Sequence, residues 1–111
     1  MTSIPSVIVS PSDELQYRIL TLDNQITCLL ISDEETETSA VGLSVHAGSF
    51  EDPSSHLGMA HFLEHLLFMG SEKYPSVDHY SDFICQNGGS YNAFTEDAYT
   101  MYYHEIKNEV K

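Results

Sequence analysis

Leu57-Gly58-Met59-Ala60-His61-Phe62-Leu63-Glu64-His65-Leu66-Leu67-Phe68-Met69-Gly70 is the stretch from which the rest of the chain is read. Its pattern is helical from about Leu57 to Met69, with Ser54 or Ser55 available as N-cap and Gly70 as the stop. At roughly 100° per residue, with His61 set to zero, His65 falls at about 40° and Glu64 at about 300°. The three side chains therefore share one polar stripe. Met59, Leu63, Leu66 and Leu67 lie opposite, with Phe62 and Met69 toward one flank and Phe68 beside the stripe. So little of this helix is solvent-seeking that it is expected to be buried between other elements.

A buried carboxylate between two imidazoles loses hydration, which costs several kcal/mol unless charge or hydrogen bonding compensates. A divalent cation supplies that compensation. Imidazole nitrogens one turn apart can reach the same ion at about 2.0 to 2.1 Å, and two His with a carboxylate suit zinc with a position left for water. Glu64, beside the ion rather than on it, can then take the water's proton. The alternative is a pair of structural histidines satisfied by neighbouring carboxylates, and spacing by itself leaves both open. A di-iron site fits poorly, because it wants Glu three residues before His and a second such motif.

Outward from this helix the chain reads as an α+β unit. Tyr17 to Leu22 and Gln25 to Ile31 are β-prone runs around Asp23-Asn24, a dipeptide tolerant of positive φ, and so predict a hairpin. Asp33 to Thr38 reads as a solvated loop. Ala40 to His46 alternates as a strand with one buried face does, and Gly48 to Ser55 closes it with a turn. Beyond the loop Ser71 to Pro75, Ser76 can cap a second helix to about Gln86, ended by Asn87-Gly88-Gly89. Two strands follow, Ser90 to Phe94 and Thr100 to Ile106. The expectation is a partial mixed β-sheet with two helices packed on it.

Composition narrows the partners. With 41% apolar and 11% aromatic residues in 111, the chain should bury a core as one small domain. Seventeen acidic against four basic residues give a net charge of −13, which repels nucleic acid and anionic membranes alike. Solubility is the plain reading of that charge, and a preference for basic peptides the sharper one. Met1 to Ser10 lacks a basic residue before its apolar run, which Pro5 interrupts, so it does not read as a secretory signal. No run of 18 apolar residues suggests a membrane span. Cys28 and Cys85 follow no metal or redox spacing and are expected to pack in the core, in a reducing compartment. His46, His56, His79 and His104 stand outside the motif spacing and are expected to face solvent or accept hydrogen bonds.

His-x-x-Glu-His is the inverted zinc signature of one peptidase family, and its surroundings here match too. Gly48-Ser49-Phe50-Glu51-Asp52-Pro53, the run Gly58 to Gly70, Lys73-Tyr74-Pro75, Gly89-Ser90-Tyr91-Asn92-Ala93-Phe94-Thr95 and Tyr102-Tyr103 occur in fixed order. Over roughly residues 15 to 106 the chain thus resembles the pitrilysin or insulinase family of zinc metallopeptidases, in its insulin-degrading-enzyme and nardilysin branch. His104 departs from the pattern, relatives tending to be apolar or aromatic there.

The resemblance implies Zn2+ as cofactor, His61 and His65 as ligands and Glu64 as catalytic base. It implies a third ligand, a Glu from a later helix, past Lys111, since Glu96, Glu105 and Glu109 are too close to the motif. On this reading residues 1–14 are an N-terminal extension and 15–111 the incomplete N-terminal portion of a pitrilysin-like catalytic domain. Asn92, Ala93 and Phe94 match the family's substrate-pairing edge strand, the alternative being an ordinary sheet strand. The implied activity is that of a cytoplasmic zinc metalloendopeptidase acting on short peptides. Its partners would be peptide substrates and the remaining domains of the full-length peptidase, with a homo-oligomer allowed. The competing expectation is a non-catalytic peptide-binding homologue or an inactive fragment.

Overall fold

The computed structural model describes residues 7–108. The first six residues of the expected N-terminal extension, and Glu109 and Lys111, lie outside the described residues. The chain divides into two compact units, Met1–Thr36 and Glu37–Lys111.

The first unit is the expected hairpin, β1 (Gln16–Thr21) paired antiparallel with β2 (Thr27–Ser32). Its turn differs in one detail. Gln25, and neither Asp23 nor Asn24, takes the positive φ, 71°. The Gln25 N–H donates to the Leu22 carbonyl at 2.9 Å and the Leu22 N–H to that of Ile26 at 2.9 Å. This is a turn closed by a left-handed residue, the usual solution for a three-residue hairpin loop. Asn24 contributes through its side chain instead, accepting the Ile26 N–H at 3.2 Å.

In the second unit β3 (Thr38–Val45) leads through a single 3-10 turn (Ser49–Glu51) to α1 (Met59–Leu66) and α2 (His79–Gln86). Strands β4 (Ser90–Thr95) and β5 (Thr100–Lys107) follow. The sheet order is β3-β5-β4. Strands β3 and β4 run the same way and would form a parallel pair if adjacent, but β5 enters between them and pairs antiparallel with both. The α+β class therefore stands, while every described pairing is antiparallel where a mixed sheet was expected.

Both helices pack on β4 and β5. Their common core is aromatic: the Phe68 ring centroid lies 5.0 Å from that of Tyr91 and 5.5 Å from that of Tyr80. Ile84 of α2 is the most buried apolar side chain, 2% exposed. Since the helices pack mainly on β4 and β5, Val41, Leu43 and Val45 are exposed, and the buried face expected for β3 is absent among the described residues. Cys28 is half-buried and Cys85 exposed, both as free thiols, so the expected core packing fails for Cys85, which lies on the outer side of α2. His56 Nδ1 lies 2.9 Å from Ser55 Oγ, His104 Nδ1 lies 2.7 Å from Tyr80 Oη, and His79 stacks on Tyr74. No described helix is long and apolar enough to cross a membrane.

Candidate metal centre

Helix α1 begins with neither of the expected serine caps. Its N-cap is Gly58, left-handed at φ 87°, and the free N–H groups are taken by a residue further upstream. The Asp52 carboxylate accepts from Gly58 at 2.6 Å and from Ala60 at 2.8 Å. A carboxylate here also meets the positive end of the helix dipole. Asp52 is set by the turn before it, where the Glu51 carboxylate accepts the Gly48 N–H at 2.7 Å. That turn is tied to the β4–β5 connection through Ser49 N–H to the Glu96 carbonyl, 3.0 Å, and Phe50 N–H to that of Asp97, 2.8 Å. A Cβ at Gly48 would stand 2.2 Å from the Glu96 oxygen, so the close approach requires glycine. Helix α2 likewise starts later than expected, with Asp78 and not Ser76 at its N-cap.

The frame places three side chains together. His61 and His65, one turn apart, bring their Nε2 atoms to 3.1 Å, and with Glu64 they form a group whose ligand atoms lie within 4.8 Å of one another. Both imidazoles are exposed, whereas Glu64 is 8% exposed. The helix thus turns Ala60 and Glu64 inward, one turn apart, and Phe68 continues that side in the turn after the helix. Its apolar side lies outward: Leu63 is 51% and Leu67 57% exposed. The expectation of a helix buried all round is therefore corrected. Strands β4 and β5 cover one side of α1, and that side carries the carboxylate.

Glu64 finds one hydrogen-bond donor among the described residues. Thr95, the last residue of β4, donates from Oγ1 to Glu64 Oε2 at 2.6 Å. The Tyr102 phenol on neighbouring β5 is held above its ordinary pKa, by burial first and by the Glu64 charge second. Tyr102 therefore stays neutral beside the carboxylate.

The donor set fits a metal ion. Two nitrogens 3.1 Å apart can both approach one ion at about 2.0 to 2.1 Å, which leaves room for further ligands in a tetrahedral arrangement. Neutral imidazoles supply lone pairs and the carboxylate supplies compensating charge. No other His, Cys, Asp or Glu joins this group among the described residues.

Asn92, Ala93 and Phe94 fall on β4, one of the two outer strands of the sheet. Ala93 faces the helices with Tyr91 and Thr95, while Asn92 and Phe94 point to the other face. Phe94 is 39% exposed, its ring 5.9 Å from that of Tyr99. The Ala93 N–H donates to the Asn92 side-chain oxygen at 2.9 Å.

Sequence reasoning assigned no role to Thr95 or Asp52. Asp52 stood in a run read as a turn, and an acidic residue six positions before Gly58 was the available signal. Thr95 is 31 residues from Glu64, a separation that no local pattern reports.

Residues 27–110 match the family described as Insulinase (Peptidase family M16). The chain is 46% identical to the insulin-degrading enzyme of Mus musculus over 103 residues, 93% of this chain and 10% of that protein. It is 45% identical to the A-factor-processing enzyme of Saccharomyces cerevisiae, covering 87% of this chain and 9% of that one. It is 43% identical to Protease 3 of Salmonella typhimurium, covering 90% and 10% respectively. The crystal structure of pitrilysin superposes with a TM-score of 0.86 at 42% identity, over 90% of this chain and 11% of that one. The chain thus spans about a tenth of the length of the relatives it matches.

Proposed function

The chain belongs to the insulinase family of peptidases, and from that premise we propose that it carries part of the active site of a zinc metalloendopeptidase acting on short peptides. His61 and His65 bind the zinc through Nε2, and Glu64 is the general base. The observation that supports this is the convergence of the two Nε2 atoms, 3.1 Å apart, beside a buried carboxylate.

Zinc in this position supplies polarisation of the scissile carbonyl and a lowered pKa for water. The chain's own residues do the rest. The Glu64 carboxylate accepts a proton from the attacking water and returns it to the amine nitrogen as the C–N bond breaks. Glu64 is 8% exposed, so little bulk water competes for its carboxylate. A catalytic zinc takes three protein ligands, of which the described residues offer two imidazoles.

Strand β4 supports the reading of Asn92 and Ala93 as substrate contacts. It is an outer strand, where an extended peptide can add main-chain hydrogen bonds. The Asn92 side chain, bonded to the Ala93 N–H, would move aside to admit it, and exposed Phe94 offers an apolar contact. In this reading residues 15–111 are part of the catalytic domain and 1–14 precede it, and the free thiols fit a reducing cytoplasm.

Peptide hydrolysis by the zinc-loaded protein should fall by at least about 100-fold in Glu64→Gln with zinc still bound. His61→Ala and His65→Ala should each lose the metal, measured by zinc titration. Hydrolysis that survives both chelation and Glu64→Gln would defeat the proposal, and tight peptide binding without turnover would identify a non-catalytic homologue.

A further inference from the structure

Glu64 is the only buried charged side chain among the described residues, and Thr95 gives it its single hydrogen bond there. A hydroxyl has one proton to donate, and the Thr95 proton goes to Oε2 at 2.6 Å. Oε1 is left without a protein donor among the described residues. The terminal torsion of a glutamate is broad, so an untethered carboxylate would exchange its two oxygens by rotating. A hydrogen bond to one of them stops that rotation.

Thr95 is itself well held. Its Cα partner in the sheet is Thr100, the first residue of β5. Thr100 is 3% exposed and spends its own hydroxyl on the Ala47 carbonyl at 2.8 Å. Threonine is branched at Cβ, so its χ1 is stiff, and its strand position sets the direction of Oγ1. Even so, Thr95 lies on a different element from the metal-site helix and is half-buried.

We propose that Thr95 is a positioning residue, whose hydroxyl pins Glu64 by Oε2 so that Oε1 alone is presented to the space beside His61 and His65. The inference rests on the reading of Glu64 as the general base. It assigns the working oxygen of that base and the residue that selects it.

The test compares Thr95→Val, which keeps the shape without the hydroxyl, with Thr95→Ser, which keeps the hydroxyl. Both are made in the complete zinc-loaded protein alongside Glu64→Gln. Thr95→Val should lower kcat by about 10- to 100-fold with KM within about twofold, as expected when an oriented group loses its alignment. Its zinc dissociation constant should stay within about twofold of the parent, since no ligand is disturbed. Thr95→Ser should recover most of kcat. In the double variant with Glu64→Gln, Thr95→Val should add no further loss.

Unchanged kcat in Thr95→Val, with Glu64→Gln still inactive, would overturn this inference alone. Parallel loss of kcat and zinc affinity in Thr95→Val, or failure of Thr95→Ser to recover kcat, would assign Thr95 a structural role and overturn it equally. Full activity in Glu64→Gln would remove the base reading, and this inference with it.

Discussion

The two helices of the second unit have the same length, eight residues each, and pack on the same two strands, yet they bury opposite things. Helix α2 buries Ile84, 2% exposed, and α1 buries Glu64, 8% exposed. One inward position contributes to cohesion. The other gives up cohesion to hold a carboxylate in a fixed place, the kind of local conflict expected at a functional site. The aromatic cluster of Phe68, Tyr80 and Tyr91 between the helices lets the fold bear that loss.

Three substitutions would break or sharpen this contrast. The largest effect is expected from Ile84→Ala, which should destabilise the chain by about 2–5 kcal/mol through the cavity it leaves, measured by urea unfolding. A cost below that of an ordinary surface change would mean that α2 does not anchor the unit. Glu64→Leu should act in the opposite direction. Removing a buried charge in favour of a similar apolar volume should stabilise the metal-free chain by about 1–3 kcal/mol, measured in the same way. Destabilisation in that variant would show the Thr95 bond to outweigh the desolvation of Glu64, and the contrast would collapse. Smallest is Asp52→Ala, which uncaps α1 at about 1 kcal/mol. It should lower the melting temperature without unfolding α2, and an unchanged melting temperature would count against the capping role.

What could be read in advance follows the range of the interactions. The trio His61, Glu64 and His65 was legible because it obeys helical spacing inside five residues. The hairpin, both helices and the final strands were legible from short apolar patterns and turn residues, to within a few positions at their ends. The face that α1 buries was not. Met59, Leu63, Leu66 and Leu67 look like a core stripe by hydrophobicity, but the sheet receives Ala60, Glu64 and Phe68 instead. Only the path of β4 and β5 decides that. The all-antiparallel sheet was hidden for a related reason, since nothing local says that β5 slips between β3 and β4. The caps show the same limit at shorter range, because Ser54 and Ser55 are good capping types and lost to Asp52, whose carboxylate reaches the helix start across a turn.

The insertion of β5 also sets a timetable. Among the described residues strand β3 pairs only with β5, from Thr38 with Lys107 to Val45 with Thr100. On the ribosome β3 emerges first and its partner last, with both helices and β4 made in between. At about 5–20 residues per second this leaves β3 unpartnered for several seconds. Val41, Leu43 and Val45 then lie along an open strand edge, the kind of surface that recruits other chains. From the time β3 is made until Thr100–Lys107 have followed, it is the strand of this unit whose pairing waits longest.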